Sequence, residues 1–355
     1  MSVAAADTVS PSSLELSVGE VVEQDRTRWN NFVESHGDAT FFHRFEWREV
    51  LTRAFGHKSY YLIAARGDVV EGILPLAHVR SRLFSNALIS TPFCVYGGVV
   101  SSSDEAYRAL LDRACALADE LGVDYLECRN LTTREPGWPS KDLYVTFRKE
   151  ILPDSEANLL AIPKKQRAMV RKGIKAGLTA TVEPHVETLY DCYSQSVRNL
   201  GTPVFGKRYL QVLSEVFGDD CEIMVIRNGD SPVAAVMSFV FRNEILPYYG
   251  GGTLEARAVK GNDFMYWSVM ERAREQGLTV FDYGRSKVDT GAYRFKKHWG
   301  FEPQPMSYEY HLSGIDAMPD LSPNNPKYKL FIGLWQKLPL GLSQRIGPYL
   351  ARSLG

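Results

Sequence analysis

The chain has 355 residues, 45% of them hydrophobic and 23% charged, a composition that excludes fibrous and disordered classes and suffices to bury a large core in two domains. A formal net charge of −1 provides no global field for recruiting nucleic acid, so an anionic partner has to be held by a local patch. No apolar run reaches the roughly 18 residues of a membrane span, and the five cysteines (Cys94, Cys115, Cys128, Cys192, Cys221) include no CxxC pair, as expected of reduced thiols in a cytoplasmic protein.

Residues 1–17 carry neither the basic start nor the long apolar stretch of a signal peptide and read as a flexible leader. The first patterned stretch, "YYLIAARGDVVEGILPL" (60–76), is an apolar strand, a Gly-Asp turn and a second apolar strand. A Tyr-Gly-Gly follows at Tyr96–Gly98. Leu110, Leu111, Ala114, Leu117, Ala118 and Leu121 then fall at helical spacing before Gly122, and "VDYLECRN" reads as a strand. Next comes a basic helix with Lys164, Lys165, Arg167, Arg171, Lys172 and Lys175, uninterrupted by any acid, with Arg167, Arg171 and Lys175 on one face.

The earlier order of elements then returns. "CEIMVIRNGDSPVAAVMSF" (221–239) is the hairpin, Tyr249–Gly251 the Tyr-Gly-Gly, and Phe264, Trp267 and Met270 the helix stripe before Gly277, leading into "LTVFDYGRS". Such repetition implies two copies of one α/β unit, joined near residue 150. The second copy continues into "GAYRFKKHWGF", a short helix that ends at Gly300 and delivers Phe301 to the strand "MSYEYHL". From 321 to 355 the chain is apolar and basic with no acidic residue. That suits a helix lying on an anionic membrane surface, or equally a helical strap docked in the protein's own groove, with Pro339 and Pro348 interrupting it.

The order strand, helix, strand, helix, Gly-Phe, strand resembles the GNAT acyltransferase fold, in which two central parallel strands splay apart to admit an acyl donor. "RFKKHWGF", "FFHRFEWREV" and "IPKKQRAMVRKGIKAGL" resemble the FemAB family, which fuses two GNAT-like domains and attaches amino acids to cell-wall precursors. More narrowly, "LISTPFCVYGG", "SVRNLGTPVFGKRYL" and the basic tail are similar to FemAB-related proteins of exosortase and PEP-CTERM exopolysaccharide systems. The resemblance implies an α/β protein with two tandem GNAT-like domains, 18–150 and 151–312, each with a mixed, centrally splayed sheet, followed by a C-terminal helical tail, 313–355. The active cleft is expected in the second domain. The implied activity is transfer of an acyl or aminoacyl group to an amine or similar nucleophile of a cell-envelope polysaccharide or peptidoglycan-type precursor. A scaffold that keeps this fold without catalysis is the rival reading.

Counting back from Gly300, Lys296 takes the place where GNAT enzymes often carry a tyrosine acid and FemAB proteins a lysine. A fixed ammonium there would stabilise the oxyanion of a tetrahedral intermediate by ~3 kcal/mol. Tyr293 lies one turn earlier and either shares that face or packs. Asp282, at a strand end, is a candidate base for the nucleophile or a turn cap. Lys297, Asn262 and Arg257 are candidates for donor phosphate, with Asn262 or Asp263 expected to cap the following helix. Arg198 matches a FemAB position that contacts the acceptor. His43 and Trp47 are expected to be structural.

CoA-using GNAT enzymes usually place a glycine-rich loop before this helix, where bare N–H groups cradle pyrophosphate. Here "RAVKGND" spaces Arg257 and Gly261 too widely and offers no second glycine. Acetyl-CoA is disfavoured, and the donor is expected to be aminoacyl-tRNA or another carrier-borne group, with acyl-CoA as the alternative and no tightly bound cofactor. The basic helix, with Lys164, Arg167 and Arg171, is either a solvated face or a site for tRNA backbone, nucleotide-sugar pyrophosphate or a polyanionic lipid carrier. HExxH, GxSxG and Walker motifs are absent from the sequence.

Overall fold

The computed structural model describes residues 14–81, 86–318 and 326–353. Most of the expected leader (1–13) and the start of the tail (319–325) lie outside them. The chain divides into two compact units, one made of Met1–Thr52, His57–Pro139 and Tyr308–Ala317, the other of Arg53–Gly56, Ser140–Ser307 and Met318–Gly355.

In the first unit the predicted hairpin forms from Lys58–Arg66 and Val69–Arg80, turning through Gly67 at φ +58°. Asn86–Ser90 pairs antiparallel with the hairpin and parallel with Tyr125–Asn130. The helix Asp104–Leu121 joins the two parallel strands. Ser103 caps it by accepting from the Ala106 N–H, and Gly122 ends it in the left-handed region. Its apolar stripe, Leu110, Ala114, Leu117 and Ala118, is buried in one cluster with Leu62, Leu74, Leu88 and Leu126 of the sheet.

The second unit repeats the pattern. Cys221–Asn228 and Ser231–Phe241 form the hairpin, turning through Gly229 at φ +59°, and Glu244–Gly252 pairs antiparallel with it. The helix Gly261–Glu275 leads to Val280–Asp282, parallel to Glu244–Gly252. That parallel pairing spans only Glu244 with Val280 and Ile245 with Phe281, although the longer strand runs on to Gly252. The sheet is therefore splayed at its centre. On the opposite edge of the longer strand, Met237 pairs with Tyr249 and Ser238 with Pro247, so Tyr248 is an extra, bulged residue beside the splay.

The stretches 140–150 and 308–312 lie in the other unit from the one expected. Tyr144–Glu150, read as the end of the first domain, pairs with Val280–Asp282 and buries Val145 and Phe147 in the second unit's core. The stretch from Tyr308, read as the end of the second domain, buries Tyr308, Glu309 and Tyr310 in the first. There Tyr308 donates its hydroxyl to the Val95 carbonyl at 2.7 Å, and Glu309 accepts the Arg134 and Glu135 N–H groups at 2.9 Å. These side chains, rather than the order of the repeat, decide membership.

The tail forms two helices, Pro326–Gln336 and Leu340–Ala351, on the second unit. Pro339 separates them, whereas Pro348 lies inside the second helix without ending it. The tail packs on the helix Glu187–Leu200: Gln336 donates to the Asn199 carbonyl and Gln344 to the Ser194 hydroxyl. It is a strap on the protein's own surface, and no described helix is long and apolar enough to cross a membrane.

Candidate active site

Just past Asp282, where the parallel pairing has ended, the chain turns and is held by the helix Gly291–His298. Thr290 starts that helix by accepting from the Tyr293 N–H, and Gly300, at φ +80°, follows its end. This short helix turns Lys296 inward. The residue is 8% exposed, and its Nζ donates to the carbonyls of Gly284 at 2.9 Å and Arg285 at 3.0 Å. It also lies 5.5 Å from the ring centroids of Phe147 and Tyr283. Burial lowers its pKa to about 7, with Asp282 opposing the fall and Arg285 adding to it.

Asp282 is 1% exposed and already engaged. Its carboxylate accepts the Gly284 N–H at 2.7 Å and faces Arg148 at 3.5 Å, while Arg148 also pairs with Glu244. Burial raises its pKa against the pull of Arg148 and Lys296. Of the two readings of Asp282, the turn cap is the one its bond with Gly284 fits; its charge also reaches Lys296. Arg148 and Glu244, which complete the network, carried no motif, since they stand on strands remote in sequence from Asp282.

Tyr293 packs at the core edge, 5.6 Å from Phe147, with the Lys297 ammonium 5.7 Å from its ring. Lys297 itself is exposed. Neither Asn262 nor Asp263 caps the following helix. That helix starts at Gly261 from Lys260, which adopts φ +64°. Asp263 is instead buried, accepting from Gln166 of the basic helix and from Trp299 Nε1 at 3.3 Å, and so ties both neighbours to this helix terminus.

The Gly250–Gly252 run at the strand end is closely packed on its side-chain positions. A Cβ at Gly250 would meet Val236 Cγ2 at 2.9 Å, one at Gly251 would run into Ser196, and one at Gly252 into the Asn262 side chain. These glycines are consumed by packing. Asn262 Oδ1 is buried there with no hydrogen-bond partner among the described residues, and Arg257 is exposed on the short helix Leu254–Val259.

A family model described as "Acetyltransferase (GNAT) domain" matches residues 164–297. Among solved structures the chain is similar to FemX, at 15% identity and TM-score 0.63, covering 89% of this chain and 100% of that one. A tandem GNAT protein from the clavulanic acid biosynthesis pathway gives 12% identity and TM-score 0.56 over 85% and 100% of the two chains. The fold is a tandem GNAT fold. L-PGS from Bacillus licheniformis is also similar, at 15% identity and TM-score 0.53 over 89% and 98%. No curated protein matches the sequence.

In this tandem GNAT chain the remaining sequence-predicted residues are dispersed. The basic helix, Lys164–Lys175, packs through Gly173 against Phe264 and leaves Lys164, Lys165, Arg171, Lys172 and Lys175 exposed. Arg167 is half-buried and reaches the Leu160 carbonyl at 3.5 Å, while Arg171 faces Glu156 at 3.5 Å. Arg198 turns toward the strap: its Nη1 donates to the Leu338 carbonyl at 3.1 Å and its Nη2 to Asn199 at 2.8 Å. In the first unit His43 donates to or accepts from Thr40 and contacts the Gly98 carbonyl at 3.0 Å, and Trp47 is fully buried with Nε1 on the Phe41 carbonyl.

Proposed function

We propose that the chain transfers an acyl or aminoacyl group to an amine or similar nucleophile of a cell-envelope polysaccharide or peptidoglycan-type precursor, with Lys296 as the proton carrier. The observation that carries this reading is the buried Lys296 amine, held on two carbonyls of the turn after Asp282 with a pKa near 7. The sequence had suggested a fixed ammonium at the oxyanion. A lysine that titrates near neutrality is better suited to moving a proton.

As a neutral amine, Lys296 spends both hydrogens on the Gly284 and Arg285 carbonyls and keeps its lone pair for the nucleophile. The acceptor nitrogen attacks the donor carbonyl and forms the new C–N bond. Its proton passes to Nζ. When the tetrahedral intermediate collapses, the bond to the leaving group breaks and Nζ returns the proton to that group, so the lysine ends as it began. Asp282, sealed by Arg148 and Gly284, is a positioning residue that tunes Lys296 through its charge.

Carrier-borne donors, aminoacyl-tRNA foremost, are favoured over acetyl-CoA by the packed glycine run and by Lys260 in place of a loop glycine. The exposed basic helix supplies charge for such a polyanion. The likeness to exosortase-linked proteins adds exopolysaccharide synthesis as the setting. The test is the pH dependence of kcat/KM. Activity rises with pH through a limb near pH 7, Lys296→Met removes the activity and that limb, and Asp282→Asn moves the limb to lower pH because a charge that favours the ammonium is gone. A limb unmoved in Asp282→Asn, or full activity in Lys296→Met, would reject the assignment.

A further inference from the structure

The second helix of the strap buries small residues and exposes three large ones. In the helix Leu340–Ala351, Ser343 and Ala351 are 0% and 2% exposed, and Gly347 sits so close to Val204 that a Cβ would lie 2.9 Å from its backbone N and O. Leu342, Ile346 and Tyr349 are 41%, 40% and 74% exposed. Their spacing, four and then three residues, places them on one face, with Arg345 at its border. The preceding helix buries Trp335 but leaves Phe331 and Leu334 exposed. Leu200, 67% exposed, precedes Gly201, which touches Ile332 of the strap.

An ordinary surface helix does the opposite, turning its large apolar residues to the core and its polar ones to water. The docking face here is complete without those side chains, so their exposure asks for another occupant. The charge pattern says which. Lys337 and Arg345 are exposed with no ion-pair partner among the described residues, Arg352 spends one arm on the Phe55 carbonyl, and the sequence from 321 to 355 has no acid. A second copy in a two-fold contact would bring these like charges together with no strap carboxylate to pair them. An anionic bilayer fits both features.

We propose that the outward face of the strap, Leu334, Leu342, Ile346 and Tyr349 bordered by Lys337 and Arg345, docks on an anionic lipid surface, the apolar side chains entering the headgroup region and the cations meeting lipid phosphates. This does not depend on the transfer chemistry. It also joins the two readings of the tail: the strap is held on the protein by one face and offers the other to the membrane.

The test is sedimentation of the full chain with vesicles of phosphatidylcholine alone and of phosphatidylcholine mixed with an equal amount of phosphatidylglycerol. Wild type partitions to the mixed vesicles only, and added salt weakens it. Lys337→Gln and Arg345→Gln each weaken binding about fivefold, and the combined Leu342→Gln, Ile346→Gln and Tyr349→Gln variant loses it with an unchanged melting temperature. Three results overturn the proposal: no partition to either vesicle, equal partition of wild type and the triple variant, or a concentration-dependent dimer that the triple variant dissolves.

Discussion

Lys296 shows how much one buried group can alter both chemistry and stability. Its pKa near 7 in the folded protein contrasts with an unfolded value near 10.5. Between those values the unfolded chain binds more protons than the folded one, so this residue makes stability rise as pH increases from about 7 toward 10, and its full penalty is felt below 7. Denaturant titrations across that range should show the rise in wild type and a flatter profile in Lys296→Met; parallel profiles would mean that the amine is not desolvated as described. The short helix and its Gly300 stop were legible, and with them the position of Lys296. Its partners were not. The Gly284 and Arg285 carbonyls come from the turn before its helix, and Arg148 and Glu244, which surround Asp282, are brought there only by pairing in the sheet. Asp263 was misread for a related reason: the N-cap rule looks at neighbours in sequence, whereas its carboxylate serves Gln166 and Trp299.

At the level of elements, the repeated hairpins were plain in the sequence because each strand is a nearly continuous apolar run and each turn has a glycine in the left-handed region. The tail was ambiguous for a physical reason. An apolar, basic helix has the same pattern whether its large or its small residues meet the protein, and only the fit of Ser343 and Gly347 distinguishes them. Arg198 belongs to this scale too. It was read as a contact to the acceptor, and it holds the strap through the Leu338 carbonyl. Arg198→Met should cost about 1 kcal/mol per hydrogen bond lost and expose the strap to limited proteolysis. An intact strap with a raised KM for acceptor would return Arg198 to the binding role.

For the molecule as a whole, the donor is read out by a direct binding measurement. A ligand at a hundred times its dissociation constant stabilises the folded state by about 2.7 kcal/mol. Thermal melting with aminoacyl-tRNA, acetyl-CoA and longer acyl-CoAs should shift for the tRNA and not for acetyl-CoA; the reverse would overturn the argument from the packed glycines while leaving the fold untouched. The two-unit architecture was legible from the repeat, but its seams were not, because both crossing strands continue the apolar pattern of their neighbours. Their placement matters before the protein is ever finished. A ribosome making this chain emits Pro139 long before Tyr308, and at roughly 5–20 residues per second the first unit waits on the order of ten to thirty seconds for the strand that supplies Tyr308, Glu309 and Tyr310 to its core. Until then Asn130 and the Arg134–Glu135 backbone lack the carboxylate they hold in the folded unit, so the half made first is completed late in synthesis.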